Sequence, residues 1–496
     1  MKKRITSILF LAVALFCNCS QSDDFIAGDN NLTEATEGNV SVVFRLQSSQ
    51  TSTTRSAEDS HSYIQGSADE YKVNNARVYL YDNQTKLFVK TFLLNNITRK
   101  GSDANGNIIY ETEEVSVPQG TYDIFVTANT NRVISKDTEN EFLSDIDRIT
   151  YEKANIEDIS GGIVMSNRAS ANVATVIADD DNDNENIVSV TVERVLARLD
   201  IAKSANEYKL TDNKGTQYAT IKLDGYSIVN LAKYYYTFRH TAVLTSMTEP
   251  EWDINTNFGN IADVNGYVID PYFFKKKIDA TSFSNQDKFF ENYYGDMANP
   301  NSIQWKSFNA VSSAPNYKTS YCLENCALAQ SQKNGYSTGV VFRATIEPHN
   351  NVYRLNGSGQ LEIINNPSEY PEELQFFDYR FFASPEALET YIRNTGASGE
   401  YHINNYEKTD DGYRCYYKYW IRHIDNYRTT EMGVMEFAVV RNNLYRMLIT
   451  NISGIGDGGT GILNVSPDIP DEGEASIHVV LNVKPWIVRD LTDIVL

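Results

Sequence analysis

Histidine and cysteine, the residue types most able to bind a metal or act as nucleophiles, are sparse in this sequence. The six histidines are scattered, at His61, His240, His349, His402, His423 and His478. None of them forms an H-x-x-x-H spacing, and there is no G-x-S-x-G elbow, P-loop or dinucleotide-binding fingerprint. We therefore expect no catalytic residue, no metal and no cofactor, and we predict that the protein is not an enzyme.

The cysteines in the body of the chain are Cys322, Cys326 and Cys415. Three thiolates could ligate a metal, but no histidine lies at a spacing that would complete the set. An odd number of cysteines argues against a disulfide framework, although a single bridge remains open. We favour small, partly buried thiols.

An acidic run, Asp179-Asp180-Asp181-Asn182-Asp183-Asn184-Glu185-Asn186, is the remaining candidate for ion binding. Alternating carboxylates and amides suit hard cations such as calcium. The run lacks the glycine and the distal glutamate of an EF-hand loop, however, and it lies directly before a predicted strand. A solvated acidic loop is the interpretation that we favour, and calcium binding is the alternative.

The overall charge limits the partners that the protein can bind. The formal net charge is −21 over 496 residues, a balance that opposes binding to nucleic acid or to an anionic membrane surface. Hydrophobic residues make up 41% of the chain, which is enough for sizeable cores, and the 32 tyrosines against 4 tryptophans favour β-structure.

The amino-terminal segment has the pattern of an export signal. Lys2, Lys3 and Arg4 precede an apolar run at residues 8–16, which is too short to span a bilayer as a helix. Cys17 and Cys19 follow, and then small polar and acidic residues, as in a bacterial lipoprotein signal. We predict that Cys19 is acylated. Acylation of Cys17, or ordinary signal cleavage that discards both cysteines, are the alternatives.

A strand and an exposed loop follow the export signal. Val40, Val42, Phe44 and Leu46 alternate with more polar residues, which predicts an amphipathic strand. No apolar residue occurs from Gln47 to Ser56, and Arg55 is the single basic residue of this loop. Such a loop is open to proteases.

The rest of the chain predicts many short strands separated by turn signals, a pattern typical of β-sandwiches. The predicted strands lie at residues 77–81, 87–89, 115–117, 122–126, 187–192, 221–229, 339–346, 413–420 and 477–484. Residues 137–160 are weakly helical, and residues 250–320 read as long loops.

Two segments resemble a known family when they are taken together. One is V-E-R-x-x-A-R-x-D-I at residues 192–201, and the other is V-V-R-N-N-x-Y at residues 439–445, followed by a Gly-rich loop and a terminal strand ending in Lys484-Pro485-Trp486. Both are similar to segments of the Mfa-type major fimbrillins, the subunits of type V pili.

The resemblance implies two transthyretin-like β-sandwiches in tandem, with long loops and a few short helices. It also implies delivery to the outer membrane of a Gram-negative bacterium as a lipoprotein precursor, maturation by a trypsin-like protease, and polymerisation by strand exchange in a surface fimbria. From this resemblance we expect cleavage between Arg55 and Ser56, and a donor tail at residues 487–496. The face of that tail with Ile487, Leu491 and Val495 is the one expected to enter a neighbouring subunit.

The predicted domains are then as follows: a signal peptide at residues 1–19, a tether and cleavable strand at 20–55, a first sandwich at 56–210, a second at 211–486 and the tail at 487–496. The expected partners are identical subunits and accessory tip and anchor fimbrillins, in a fimbria that supports adhesion, biofilm formation or colonisation. A tip adhesin, an anchor subunit and a surface glycan-binding lipoprotein are the alternatives to a stalk subunit.

Overall fold

The computed structural model describes residues 39–48, 66–102, 108–148, 159–167, 172–176, 186–242, 267–273, 293–294, 304–327, 336–396, 404–423, 435–458 and 477–485. Within these ranges the chain is almost entirely β-structure with a few short helices. The predicted fold class, tandem β-sandwiches with long loops and few helices, is confirmed. None of the helices in the described ranges has the length and apolar character needed to cross a bilayer.

The amino-terminal part of the chain supplies eleven strands in the described ranges. They are β1 (Asn39–Ser48), β2 (Ala76–Asp82), β3 (Phe88–Leu94), β4 (Ile97–Ser102), β5 (Ile108–Thr112), β6 (Val115–Pro118), β7 (Gly120–Ala128), β8 (Ile146–Arg148), β9 (Met165–Ser166), β10 (Asn172–Val176) and β11 (Asn186–Arg194). Ten of these strands, all except β8, form one curled sheet in the order β3-β2-β7-β9-β11-β1-β5-β4, with β10 beside β7 and β6 beside β1.

The remaining strands of the described ranges follow in the carboxy-terminal part. They are β12 (Leu196–Lys203), β13 (Tyr208–Thr211), β14 (Gln217–Val229), β15 (Leu231–Ala232), β16 (Tyr234–Tyr236), β17 (His240–Ala242), β18 (Tyr267–Ile269), β19 (Tyr293–Tyr294), β20 (Lys318–Leu323), β21 (Gly339–Pro348), β22 (Val352–Leu355), β23 (Leu361–Ile363), β24 (Glu373–Phe377), β25 (Arg380–Phe382), β26 (Asn405–Thr409), β27 (Gly412–Trp420), β28 (Asn443–Ile452) and β29 (Ile477–Pro485).

Two larger sheets organise this part. One has four strands in the order β20-β12-β28-β29, and the other has nine in the order β13-β14-β21-β27-β26-β24-β25-β22-β23. The main apolar cluster is continuous between the two parts of the chain, since it includes Leu46 and Val78 of the first sheet as well as Val340 and Tyr413 of the nine-stranded sheet.

In the described part of the chain the helices are α1 (Ala68–Tyr71), α2 (Glu139–Leu143) and α3 (Pro385–Thr395), with a 3-10 turn at Pro367–Glu369. Ser384 caps α3 through its hydroxyl, and Gly396 ends it in the left-handed conformation that glycine adopts without a steric penalty. Phe382, Ala387 and Leu388 form a small core of their own under this helix.

The chain crosses between its two parts within the V-E-R-x-x-A-R-x-D-I segment. β11 belongs to the first sheet, whereas β12 pairs in parallel with β28 and antiparallel with β20. By hydrogen bonding, β12 therefore belongs with the carboxy-terminal strands. We propose that the boundary between the two parts lies near Val195, where β11 ends, rather than at residue 210.

Candidate functional site: the first strand and its groove

β1 lies inside the first sheet and has a neighbour on each side. It runs parallel to β11, with Phe44 opposite Val188 and Leu46 opposite Val190. On its other side it runs antiparallel to β6 and β5 in turn. We call the channel that these three strands form around β1 the groove.

The side chains of β1 fill the groove in the pattern that their alternation predicts. Val42, Phe44 and Leu46 are each at most 1% exposed and belong to the main apolar cluster. Val40 pairs through its backbone with Val117. β1 therefore contributes a row of core side chains as well as backbone hydrogen bonds to the sheet.

The antiparallel side of the groove is interrupted in the middle. β6 pairs with residues 39–42 and β5 pairs with residues 45–47, so neither ladder includes Val43 or Phe44. The Phe44 N–H donates instead to the hydroxyl oxygen of Thr112, at 3.1 Å in a buried position. The adjacent Arg45 forms an ion pair with Glu111, with Nη2 and Oε1 2.6 Å apart.

Several of the predicted site residues lie outside the described residues. These are Cys19, Arg55, Ser56, Ile487, Leu491 and Val495, and most of the acidic run at residues 179–186. No disulfide joins any two of the three described cysteines, Cys322, Cys326 and Cys415, and all three are fully buried. Burial raises the pKa of the Cys322 and Cys415 thiols to about 12. Within the described ranges, no three His, Cys, Asp or Glu side chains are grouped so as to hold a metal.

The two resemblance segments meet each other in the structure, where β12 pairs with β28. Two separate sets of ion pairs lie around them, and we call them together the buried charge cluster: Glu70, Arg198, Asp200 and Arg446, of which the two arginines are partly exposed, and the fully buried Glu324 and Arg441. Arg198 donates from Nη1 to both carboxylate oxygens of Glu70, at 3.0 Å each, and from Nε to Asp200 at 2.8 Å. Arg446 reaches the same Asp200 at 2.9 Å.

The second half of this cluster is a completely buried ion pair. Arg441 donates from Nε to Glu324 at 2.8 Å and from Nη2 to the other carboxylate oxygen, and both side chains are 0% exposed. The Arg441 Nη2 also donates to the Tyr236 carbonyl at 2.7 Å. Burial raises the pKa of Glu324, although the adjacent guanidinium opposes that change.

The buried charge cluster also holds α1, the first described helix after the predicted cleavage loop. Glu70 lies in α1, and its carboxylate closes a capping box by accepting from the Ser67 N–H at 2.8 Å. Tyr321 of β20 donates to the same carboxylate at 2.7 Å, and the Arg194 Nε at the end of β11 donates to the Glu70 carbonyl, also at 2.7 Å. α1 therefore bridges the groove wall β11 and the four-stranded sheet.

Sequence reasoning identified Arg198 and Arg441 as parts of motifs but missed their partners Glu70 and Glu324. A signal was present for the arginines, because charged residues within apolar strand patterns need a partner when they are buried. No spacing in the sequence pairs Glu70 with Arg198, which lies 128 residues away.

Comparison with protein families identifies the chain. The family model described as major fimbrial subunit protein (FimA) matches residues 38–217. The model described as major fimbrial subunit protein type IV, fimbrillin, C-terminal, matches residues 408–492. Together the two matches cover slightly more than half of the chain. The chain belongs to the fimbrillin family.

Solved fimbrial proteins are similar to this fimbrillin over most of its length. A fimbrilin (fimA) from Porphyromonas gingivalis is 13% identical, covers 92% of this chain and 99% of its own, and has a TM-score of 0.42. The tip fimbrial protein Mfa3 from Porphyromonas gingivalis is 12% identical, with 90% and 100% covered and a TM-score of 0.37. A fimbrial assembly protein from Parabacteroides distasonis is 11% identical, with 66% and 99% covered and a TM-score of 0.25. A search of curated proteins gives no match.

Family membership makes this fimbrillin a subunit of a cell-surface fimbria that assembles with other fimbrillins. The FimA match begins at residue 38, directly before β1, so the strand in the groove is part of the family pattern. The second match contains Arg441 and Arg446 of the buried charge cluster.

Proposed function

We propose that this fimbrillin is a stalk subunit, exported as a lipoprotein precursor acylated at Cys19, cut by a trypsin-like protease between Arg55 and Ser56, and polymerised by strand exchange. The tail of an identical subunit replaces β1 in the groove. Before cleavage the lipid holds the precursor at the outer membrane, and accessory tip and anchor fimbrillins begin and end the fibre.

The observation that supports this proposal is the position of β1. Its apolar side chains are part of the core, yet only residues 49–65 connect it to the next described residue, Gly66. Arg55 lies within that connection. A cut after Arg55 therefore separates a core strand from the domain that it completes, without removing any other described element.

The energetics favour retention of β1 until the cut is made. Burying three large apolar side chains is worth roughly 5–9 kcal/mol, which is comparable with the stability of a whole domain. While the strand is tethered, its effective concentration also keeps competitors out. After the cut a released strand is diluted, and the open groove is a sheet edge on each side that can pair with another chain. Because groove and tail are different surfaces, the contact propagates into a filament.

The cleavage step is tested with Arg55→Ala, which should accumulate as a lipid-bound, unpolymerised precursor. Arg55→Lys is the matched control, because a trypsin-like protease still cuts after lysine. Sheared fibres from the wild type should begin at Ser56 by amino-terminal sequencing. Normal fibres from Arg55→Ala would remove the maturation step from the proposal, and continued palmitate labelling of Cys19→Ser would move the lipid to another residue.

The exchange step is tested by deleting residues 487–496. The truncated subunit keeps its groove, so it should accept the tail of an intact subunit and then stop growth. A small fraction of truncated protein should therefore shorten wild-type fibres in electron micrographs. The control is the truncated protein that also carries Arg55→Ala, which keeps β1 in its groove and should leave fibre length unchanged. Long fibres from the truncated protein alone would exclude the tail as donor.

A further inference from the structure

The groove offers more than apolar pockets, because two polar side chains face the strand that occupies it. Thr112 and Glu111, at the end of β5, contact Phe44 and Arg45 respectively. They lie at the junction of β5 and β6, where neither antiparallel ladder includes Val43 or Phe44, although the parallel ladder with β11 continues through both residues. We call this pair the register lock.

Thr112 acts as an acceptor aimed into the groove. Its hydroxyl donates to the Glu113 carbonyl at 2.9 Å, which leaves the oxygen free to accept the Phe44 N–H. Thr112 is buried, so a strand that presents no N–H at this point leaves an acceptor without a partner in an apolar channel. An incoming strand is therefore required to present a backbone N–H there.

Glu111 provides a charge next to that acceptor. Its carboxylate accepts from Arg45 through Nη2 at 2.6 Å and Nε at 3.1 Å, and the Lys100 ammonium lies 3.2 Å from its other oxygen. The hydrogen bond from Arg45 is the largest cause of the lowered pKa of Glu111. When β1 leaves, this carboxylate faces the residue that takes the place of Arg45.

The three pockets of Val42, Phe44 and Leu46 restrict the tail to one register. They require three alternate residues without charge, because all three are buried. On the face with Ile487, Leu491 and Val495, every group of three alternate residues includes Arg489 or Asp493. On the other face every group includes Asp490, except one: Thr492, Ile494 and Leu496.

We propose that the tail of a second copy enters in the direction and register of β1, with Thr492, Ile494 and Leu496 in place of Val42, Phe44 and Leu46. The pockets select this register, and Glu111 selects this direction, because the reverse direction would place Asp493 opposite Glu111. Thr112 accepts the Ile494 N–H, and Glu111 faces Val495. This inference rests on strand exchange as proposed above, and it places in the pockets the tail face opposite to the one predicted from the sequence.

The same register explains why the precursor does not exchange before it is cut. β1 places Arg45 opposite Glu111, whereas the tail places an uncharged valine there. Because of this ion pair, the groove binds β1 more tightly than it binds the tail. The tail can therefore occupy the groove only after β1 has been cut from the domain and has dissociated.

Competition binding tests the register directly. The subunit, cleaved after Arg55, is loaded with a fluorescent peptide of residues 39–48, and peptides of residues 487–496 displace it. Ile494→Asp should abolish displacement, whereas Val495→Asp should weaken it only a few-fold. The opposite order would overturn the register and leave strand exchange standing.

The two lock residues are tested with matched peptides and proteins. Val495→Arg should bind roughly 1.5- to 5-fold tighter than the wild-type tail, as expected of a partly exposed ion pair. That gain should vanish on Glu111→Gln, and Leu491→Arg, which lies away from Glu111 in this register, should gain nothing. A gain that persists on Glu111→Gln would exclude this carboxylate as the selector.

N-methylation of Ile494 tests Thr112 without a change in the protein. It should weaken binding about tenfold or more on the wild type. On Thr112→Val the penalty should be much smaller, and Thr112→Ser should restore it; an equal penalty on Thr112→Val would exclude Thr112. If peptide 39–48 binds the cleaved subunit but no tail peptide does, the tail as occupant is wrong. If neither binds, strand exchange itself fails.

Discussion

The groove and the buried charge cluster hold the molecule together by different kinds of contact. β1 is held by a backbone ladder and by pockets for three apolar side chains, which any strand of suitable pattern can fill. The cluster depends on arginine and carboxylate groups at fixed geometry, such as Arg441 with Glu324. The first kind of contact depends on a hydrophobic pattern, and the second depends on particular side chains.

The difference suggests how a subunit can lose a core strand and keep its shape. The groove wall β11 ends at Glu193 and Arg194. Glu193 lies 3.1 Å from the Arg239 guanidinium, and Arg194 donates to the Glu70 carbonyl and, at 3.1 Å, to Asn442. These buried contacts anchor β11 independently of β1, as the proposed strand exchange requires.

The largest effect is expected from breaking the buried ion pair with Arg441→Met. The unpaired Glu324 carboxylate would remain in the interior, so the free energy of unfolding should fall by about 3–5 kcal/mol. Urea denaturation of the unpolymerised subunit measures this loss. The double variant Arg441→Met with Glu324→Leu should recover most of it, because no charge then remains buried. A single variant as stable as the wild type would show that the pair contributes nothing.

Leu46→Ala should have a somewhat smaller effect, and one confined to the precursor. Loss of a buried leucine side chain costs about 2–5 kcal/mol, but Leu46 leaves with β1 after cleavage. The uncut protein should therefore unfold more easily, and the cut protein should release β1 and polymerise faster. Leu94→Ala, in β3 of the same sheet and equally buried, is the control that should weaken the cut and uncut forms alike.

Lowering the pH from about 6.5 to 4 should destabilise the carboxy-terminal part, by an amount on the order of 2 kcal/mol from His423. Burial lowers the pKa of His423 to about 4, so the unfolded chain binds a proton in this window and the folded chain does not. Stability therefore rises with pH across it. Burial lowers the pKa of His240 to about 3, which acts in the same direction.

His423→Gln should flatten that pH dependence when the free energy of unfolding is measured at each pH. The His423 ring nitrogen Nδ1 lies 2.8 Å from the Tyr445 hydroxyl, so some loss of stability at neutral pH is expected as well. The matched control for the substitution itself is His349→Gln, at an exposed histidine. If the free energy of unfolding of His423→Gln depends on pH as steeply as that of the wild type, groups other than His423 cause the loss of stability at low pH.

The sequence predicted β1 and much of the sheet structure because alternation of apolar residues records which face is buried. It also marked Arg198 and Arg441 as parts of motifs. Their partners could not be predicted, because Glu70 and Glu324 reach them through the folding of distant strands. The pairing of β12 with β28 rather than with β11 could not be predicted either, because the hydrophobic pattern of a strand does not specify which strands lie beside it.

The smallest effect is expected for Lys222→Met, which removes an ion pair with Glu347 on the nine-stranded sheet. The Lys222 Nζ lies 2.6 Å from Glu347, so its geometry is as close as that of the buried pair, but both side chains are more than one third exposed. Water solvates both charges before and after the change, so the loss should be about 0–1 kcal/mol and should shrink further in 1 M salt. Urea denaturation of Lys222→Met and Arg441→Met at low and high salt compares the two losses in the free energy of unfolding. Since the two ion pairs have similar distances, a difference between the losses is due to burial. Equal losses would mean that burial does not strengthen the Arg441–Glu324 ion pair. The stability of the subunit's interior would then come from its apolar packing instead.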